Sequence, residues 1–475
     1  MVFSSITFLL YFLPLLLTLY FIIPDRFKNY FLLLSSIFFY SWGAPKFIFV
    51  ILGTTTLDFF LVRWMSAQQS EFKRKAILIF CVCTNVGLLF YFKYSNFFIE
   101  NINEVLSLFN IQPIKWLEII LPIGISFYTF ESLTYIIDVY RRQHKPLTNF
   151  LNYQLYIILF PKLIAGPIIR YHEIADQITN RFSTYNVDQV LNGFYRFVIG
   201  LSKKVIIANT IGIIADKTFA LPVEYLSAPT AWIGMFAYTF QIYFDFSGYS
   251  DMAIGIGQML GFRFPENFDN PYTSKSITEF WRRWHMTLGS WMKNYLYIPL
   301  GGNKVNSKAR LYFNLWIVFI LSGFWHGASW GFITWGIYHG FFLVIERIGW
   351  QKILSKTGIY LSTIITFLIV CLGWVFFRAN TLEYALGFIK KLVDFNSIKP
   401  WFDYPNDFWT MFCLAIVFSF FILIPPFKKI QQFVYYKTHH LTTNISLSLI
   451  ALLLLALSVA FITTSDFNPF IYFRF

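Results

Sequence analysis

Apolar runs close to twenty residues long, separated by short polar loops, recur from one end of the 475-residue chain to the other. A helix needs about 20 residues to cross the hydrocarbon core of a bilayer. The pattern therefore predicts membrane helices at roughly 4–23, 29–43, 46–62, 76–92, 119–140, 150–169, 190–216, 229–262, 311–349, 359–377, 408–425 and 444–464. The stretch 311–349 has room for two elements, so about eleven or twelve are expected, some shorter than a full crossing. The opening MVFSSITFLLYFLPLLLTLYFIIP carries no basic residue ahead of its apolar run, and no small-residue cleavage site follows. It reads as an uncleaved first span and not as a signal peptide.

Two regions break the pattern. FPKLIAGPIIR places Pro161, Gly166 and Pro167 inside an apolar run. A helix interrupted at membrane depth needs protein or a wet cavity to satisfy the freed backbone groups, so the segment is either cavity-lining and re-entrant or a simple proline kink. The stretch 263–303, RFPENFDNPYTSKSITEFWRRWHMTLGSWMKNYLYIPLGGN, is too polar to span and too aromatic to be a loose loop.

Composition agrees with the pattern: 57% of residues are hydrophobic and 13% charged, where a soluble domain has about 25% charged. The expected fold class is all-α, a polytopic integral membrane helical bundle, with 1–475 forming a single domain. The formal net charge of +14 would suggest nucleic acid in a soluble protein. Here the basic residues sit in short loops between spans, so the expected partner is anionic lipid, with no nucleic acid. Arg26 and Lys28, then Arg63, Lys73, Arg74 and Lys75, then Arg141, Arg142 and Lys145 follow alternate spans. Placing these loops in the cytosol puts the N-terminus outside it. The four cysteines, Cys81, Cys83, Cys371 and Cys413, all lie in apolar segments and read as small core residues.

Within 263–303, Ser276-x-x-Glu279 is a helix-start signal. Beyond it Trp281, Trp284, His285, Leu288, Trp291, Met292 and Tyr295 fall on one face of a single predicted helix. Arg282, Arg283 and Lys293 fall away from that face, as expected for a helix lying in the membrane interface. His285 thus belongs with the tryptophans. In LSGFWHGASWGFITWGIYHG, Gly323, Gly327 and Gly331 recur every four residues, a spacing that lets membrane helices pack closely. His326 sits beside Gly327, and an ionisable group within a span is a functional candidate by default. His339, near the end of its element, reads as structural; His144, His172, His439 and His440 read as loop or interface residues.

An imidazole with a pKa near ~6.5 can take a proton from a hydroxyl and return it to a leaving group. Nothing resembling G-x-S-x-G surrounds Ser322 or Ser329, and no metal-binding pattern is present. A base without a protein nucleophile favours direct transfer between two bound substrates, with no metal and no bound cofactor.

The stretches QIYFDFSGYSDMAIGIGQMLGFRFPENF, ITEFWRRWHMTLGSWMKNYLYIPLGGN and LSGFWHGASWGFITWGIYHG resemble the signature of the membrane-bound O-acyltransferase (MBOAT) family, most strongly over 240–340. MVFSS and FFYSWGAPKF extend the likeness to most of the chain. Within the family, Asp251 in SGYSDMAIG and the run IPLGGN are most similar to the bacterial alginate and peptidoglycan O-acetylation branch. The teichoic acid D-alanylation branch ranks second.

The resemblance implies an O-acyltransferase in the cell (inner) membrane, its helices enclosing a funnel or tunnel. Its co-substrate would be acetyl-CoA or another cytosolic acyl thioester, and its acceptor the hydroxyl of an exported polysaccharide. His326 of WHG would be the principal catalytic residue and His285 of RRWHMTL, preceded by Trp284, the second. His326 would deprotonate the acceptor hydroxyl, and His285 or the Trp325 indole would stabilise the oxyanion. Asp245, Asp251, Glu279, Arg282, Arg283 and, more weakly, Asn303 are supporting candidates or simply paired interfacial charges. An exported SGNH-type partner would relay the acetyl group. The rival readings are a secondary transporter, for which one broken helix lacks the matching partner an inverted repeat supplies, and a membrane scaffold.

Overall fold

The computed structural model describes residues 1–181, 186–395, 403–464 and 470–471, apart from the Lys428 side chain. Helix dominates, and among the described residues extended pairing is limited to one bridge, Phe268 with Trp284. Among the described residues six helices are long and apolar enough to cross a membrane: Ile48–Ala67, Glu71–Leu108, Val187–Phe219, Gly358–Arg378, Asn406–Leu423 and Leu441–Thr464. The all-α polytopic architecture expected from the apolar runs is the architecture found. The chain forms two compact units, Met1–Val190 with Ile256–Pro265, and Leu191–Gly255 with Glu266–Phe475.

The first unit contains α1 (Asp25–Gly43), α2 (Ile48–Ala67), α3 (Glu71–Leu108), α4 (Ile125–Tyr140) and α5 (Phe150–Ile158). Hydropathy placed a span only at 76–92, because the last two turns of α3, ENINEVLSL, are polar. At 1.5 Å per residue α3 is about 57 Å long, longer than an apolar layer of about 30 Å requires. The interruption expected in FPKLIAGPIIR is present: α5 ends at Ile158, a single turn covers Phe160–Leu163, and helix resumes at Tyr171. Its freed backbone groups find side chains. The Phe160 amide donates to Ser36 Oγ on α1 and the Tyr171 amide to Thr134 Oγ1 on α4. Tyr156 Oη donates to the Ile169 carbonyl. Lys162, inside the break, is wholly buried on the Glu131 carboxylate of α4. Protein thus supplies what a bilayer cannot.

The second unit contains most of α6 (Val187–Phe219) and of α7 (Ala228–Met259), the short α8 (Ile277–Arg283) and α9 (Met286–Trp291), then α10 (Lys308–His326), α11 (Trp330–Ile345), α12 (Gly358–Arg378), α13 (Asn406–Phe420) and α14 (Leu441–Thr464). Helices α6 and α7 cross at Gly200 and Gly248, where a Cβ on either would lie 2.6 Å from the other's carbonyl oxygen. That approach lets cations on α6 reach carboxylates on α7. Arg196 Nε and Lys203 Nζ lie 2.9 and 2.7 Å from Asp251, and Lys204 Nζ lies 2.8 Å from Asp245. Cys81 and Cys371 are buried as expected, but Cys83 and Cys413 lie exposed on the outer faces of α3 and α13. Apolar sequence context cannot separate a core-facing from a lipid-facing position.

Candidate active site

The predicted continuous helix from Ser276 to Tyr295 is broken at its histidine. It starts as the capping signal indicates, with Ser276 Oγ accepting from the Glu279 amide. Glu346 adds a second cap, accepting from the Ile277 and Thr278 amides and from the Thr278 hydroxyl. After Arg283 the backbone extends through Trp284, and His285 adopts the left-handed conformation at φ 45° and ψ 53° before α9 begins. Holding a non-glycine residue there costs on the order of 1–3 kcal/mol. Antiparallel pairing with 267–269 enforces it: the Asp269 amide donates to the Arg283 carbonyl and the Met286 amide to the Asn267 carbonyl, both at 2.9 Å. The periodicity argument fails here because a tertiary partner intervenes, yet His285 is still buried.

The second histidine ends α10. Gly327 is extended, Ser329 caps α11, and the glycine ladder read on one helix divides between two. A Cβ on Gly323 would lie 2.2 Å from the Phe332 carbonyl, and one on Gly336 2.4 Å from that of Phe319. The small residues therefore press α10 against α11 and seat His326 among aromatic rings. Its ring centroid lies 4.9 Å from Trp325, 5.1 Å from Trp335 and 5.1 Å from Phe377.

His285 packs on Phe246 of α7 at 4.8 Å and on Trp325 at 6.1 Å. Trp325 therefore touches both imidazoles. His339, assigned from sequence to a structural role, is fully buried between Trp281 at 4.9 Å and Trp335 at 5.1 Å, one ring away from His326. Trp284 fills the core between Phe268 and Trp374.

Most supporting candidates hold other partners. Asp251 bonds Arg196 and Lys203, and Asp245 bonds Lys204 and accepts from the Ile471 amide at 2.8 Å. Glu279 pairs with Arg283 one turn on, at 2.6 Å, and Arg283 also donates to Thr273. Arg282 is exposed. Asn303 accepts from Tyr297 and Arg347. An apolar cavity of about 690 Å³ lies beside Lys203, Tyr243 and Gln431, and neither histidine lines it.

The residue that sequence reading missed is Asn267. Its side chain is fully buried, and Oδ1 lies 3.0 Å from His285 Nδ1. Oδ1 also accepts from the Thr287 hydroxyl at 2.9 Å, while Nδ2 donates to Ser250 Oγ at 2.9 Å. The other ring nitrogen of His285, Nε2, is buried with no hydrogen-bond partner among the described residues. Burial alone pushes this imidazole down to about 3, so it is neutral at physiological pH. The visible signal was FPENFDNP, whose polar residues sit in a stretch too aromatic to be a loose loop.

A multi-pass helical membrane protein with two buried imidazoles on one indole suits acyl transfer between bound substrates. The chain belongs to the membrane-bound O-acyltransferase (MBOAT) family, which matches residues 30–386. It is 44% identical over 398 residues to a probable alginate O-acetylase, AlgI, of Pseudomonas aeruginosa, covering 84% of this chain and 76% of that protein. It is 35% identical over 526 aligned positions to a peptidoglycan O-acetyltransferase of Helicobacter pylori, covering 100% and 98%. A teichoic acid D-alanyltransferase of Bacillus subtilis is 29% identical over 276 residues, covering 54% and 69%. The chain is therefore a membrane O-acyltransferase, and the transporter and scaffold readings fall.

Proposed function

We propose that the protein moves an acetyl group from a cytosolic thioester donor, such as acetyl-CoA, to a hydroxyl acceptor beyond the inner membrane. In doing so it O-acetylates an exported polysaccharide of the alginate or peptidoglycan kind. The names of its more similar relatives support acetyl over D-alanyl transfer, because the D-alanyltransferase matches a shorter stretch at lower identity. One observation carries the site assignment: a single indole, Trp325, packs against both His285 and His326.

In this reading the acceptor oxygen attacks the thioester carbonyl carbon while His326 takes the hydroxyl proton. A C–O bond forms, and charge develops on the carbonyl oxygen, where a positioned donor lowers the barrier. When the tetrahedral intermediate collapses, the C–S bond breaks and the His326 imidazolium returns the proton to the thiolate. The first acceptor is a serine of an exported SGNH-type partner, which passes the acetyl group to the sugar.

The test is acetate released by mild base from envelope polysaccharide, in a strain lacking the gene and complemented with variants. His326→Ala and His285→Ala should each abolish the signal with the protein present in the membrane at wild-type level. Full acetate release with His326→Ala would remove that residue from the catalytic step.

A further inference from the structure

We propose that Asn267 is a positioning residue that locks His285 as the Nδ1–H tautomer, making Nε2 the proton-accepting atom of this imidazole. The inference rests on the reading above that His285 belongs to the acyl-transfer site, and it goes further by giving the residue one direction of proton traffic.

The side-chain oxygen of Asn267 only accepts and its nitrogen only donates, so the neighbours decide which atom faces the ring. The Thr287 backbone N–H, a donor with no alternative role, faces the same Asn267 atom as the Thr287 hydroxyl and His285 Nδ1. That atom must be the oxygen, and the opposite nitrogen donates to Ser250. An oxygen facing Nδ1 requires a proton on Nδ1. A neutral imidazole carries one ring proton, so Nε2 keeps its lone pair.

Three further features hold this arrangement. The Asn267 backbone carbonyl accepts from the Met286 amide, so its main chain holds the backbone just past His285 while its side chain meets the ring. The left-handed backbone of His285 lies between the two bonds that tie Arg283 and Met286 to 267–269. Ser250, which anchors the amide nitrogen, is the neighbour of Asp251, itself fixed by Arg196 and Lys203. The serine that anchors the asparagine thus sits next in the chain to an ion-paired carboxylate.

The assignment divides the labour. An imidazole whose remaining nitrogen is an acceptor cannot donate to an oxyanion. Of the two donors named for that task, the indole N–H of Trp325 takes it, and His285 Nε2 accepts a hydrogen bond from bound substrate while His326 remains the base. Partners of this indirect kind are worth about 10–100-fold where they orient a ligating histidine.

Two readouts test it on the full-length protein. The first needs no turnover: ¹⁵N-histidine NMR in detergent micelles, with the His285 signal assigned by its loss in His285→Gln. Wild type should show a protonated Nδ1 and a bare Nε2. Asn267→Asp, which keeps an oxygen in place, should preserve that pattern, whereas Asn267→Leu, matched in size only, should lose it. The second is base-released acetate, expected to fall by about 10–100-fold in Asn267→Leu and to be substantially restored in Asn267→Asp. A protonated Nε2 in wild type, or Leu and Asp variants that behave alike, overturns the proposal. Full acetate release in His285→Gln instead overturns the catalytic reading and leaves the tautomer measurement standing, so the two failures are distinguishable.

Discussion

Trp325 is the side chain on which the proposed reaction scheme turns, because its ring packs on both imidazoles. Trp325→Phe keeps an aromatic ring between them and deletes the N–H. If that N–H meets the developing oxyanion, acetate release should fall by about 10²–10³-fold, with thermal stability in detergent close to wild type. An unchanged rate would return the oxyanion role to another donor. Asn267→Asp carries a second prediction at this scale. Burial alone lowers the His285 pKa, and Phe246, Trp325 and Thr287 around the ring bear no charge. A carboxylate at 267 favours the imidazolium and raises that pKa. More of the imidazole is then protonated at any given acidic pH. The acid limb of turnover, measured as thiol release from acetyl-CoA, should move to higher pH than in wild type. A limb that stays put would mean His285 takes no part in the rate.

At the scale of elements, the placement of His326 depends on how closely α10 and α11 approach. Gly323→Ala puts a methyl group 2.2 Å from the Phe332 carbonyl oxygen, a backbone atom that cannot swing aside. Overpacking of this kind costs about 1–3 kcal/mol, and the displaced helix end carries His326. The variant should unfold at lower temperature in detergent and lose acetate release. Gly87→Ala on α3, with nothing within 4 Å of the new methyl, should be neutral or slightly stabilising. If Gly323→Ala is as stable as Gly87→Ala, the close crossing is wrong. These same elements show what the sequence could reveal. The glycine spacing correctly announced close packing, but one-dimensional periodicity could not show that a turn at Gly327 splits it between two helices. The capping signal at Ser276 was legible because caps are local. The break at His285 was not, since strand-like pairing with 267–269 creates it; FPENFDNP marked a polar stretch, but not which of its residues meets the ring. Motif resemblance singled out both histidines; only the fold could show the asparagine on which one of them rests.

At the scale of the molecule, the basic loops supply an argument about sidedness. Reading Lys and Arg along the chain grouped 26–28, 63–75 and 141–145 on one side of the membrane. Within the first unit these loops do gather. Glu71 holds both Arg74 and Arg142, Arg74 reaches the Tyr140 carbonyl, and Arg63 donates to the Thr148 carbonyl. Asn29, just past Lys28, donates to Asn152 at the start of α5. One end of the unit thus carries the cationic loops together, the distribution that cytoplasmic loops show. We expect that end in the cytosol, where a thioester donor is available, with the N-terminus on the opposite side. Single cysteines at Lys73 and at Ser4, in a background with Cys81, Cys83, Cys371 and Cys413 replaced, make the test with a membrane-impermeant maleimide. Lys73→Cys should label in inverted vesicles and resist labelling in intact spheroplasts, and Ser4→Cys should do the reverse. Labelling of Lys73→Cys from outside would invert the protein and put the donor on the wrong side for the reaction proposed.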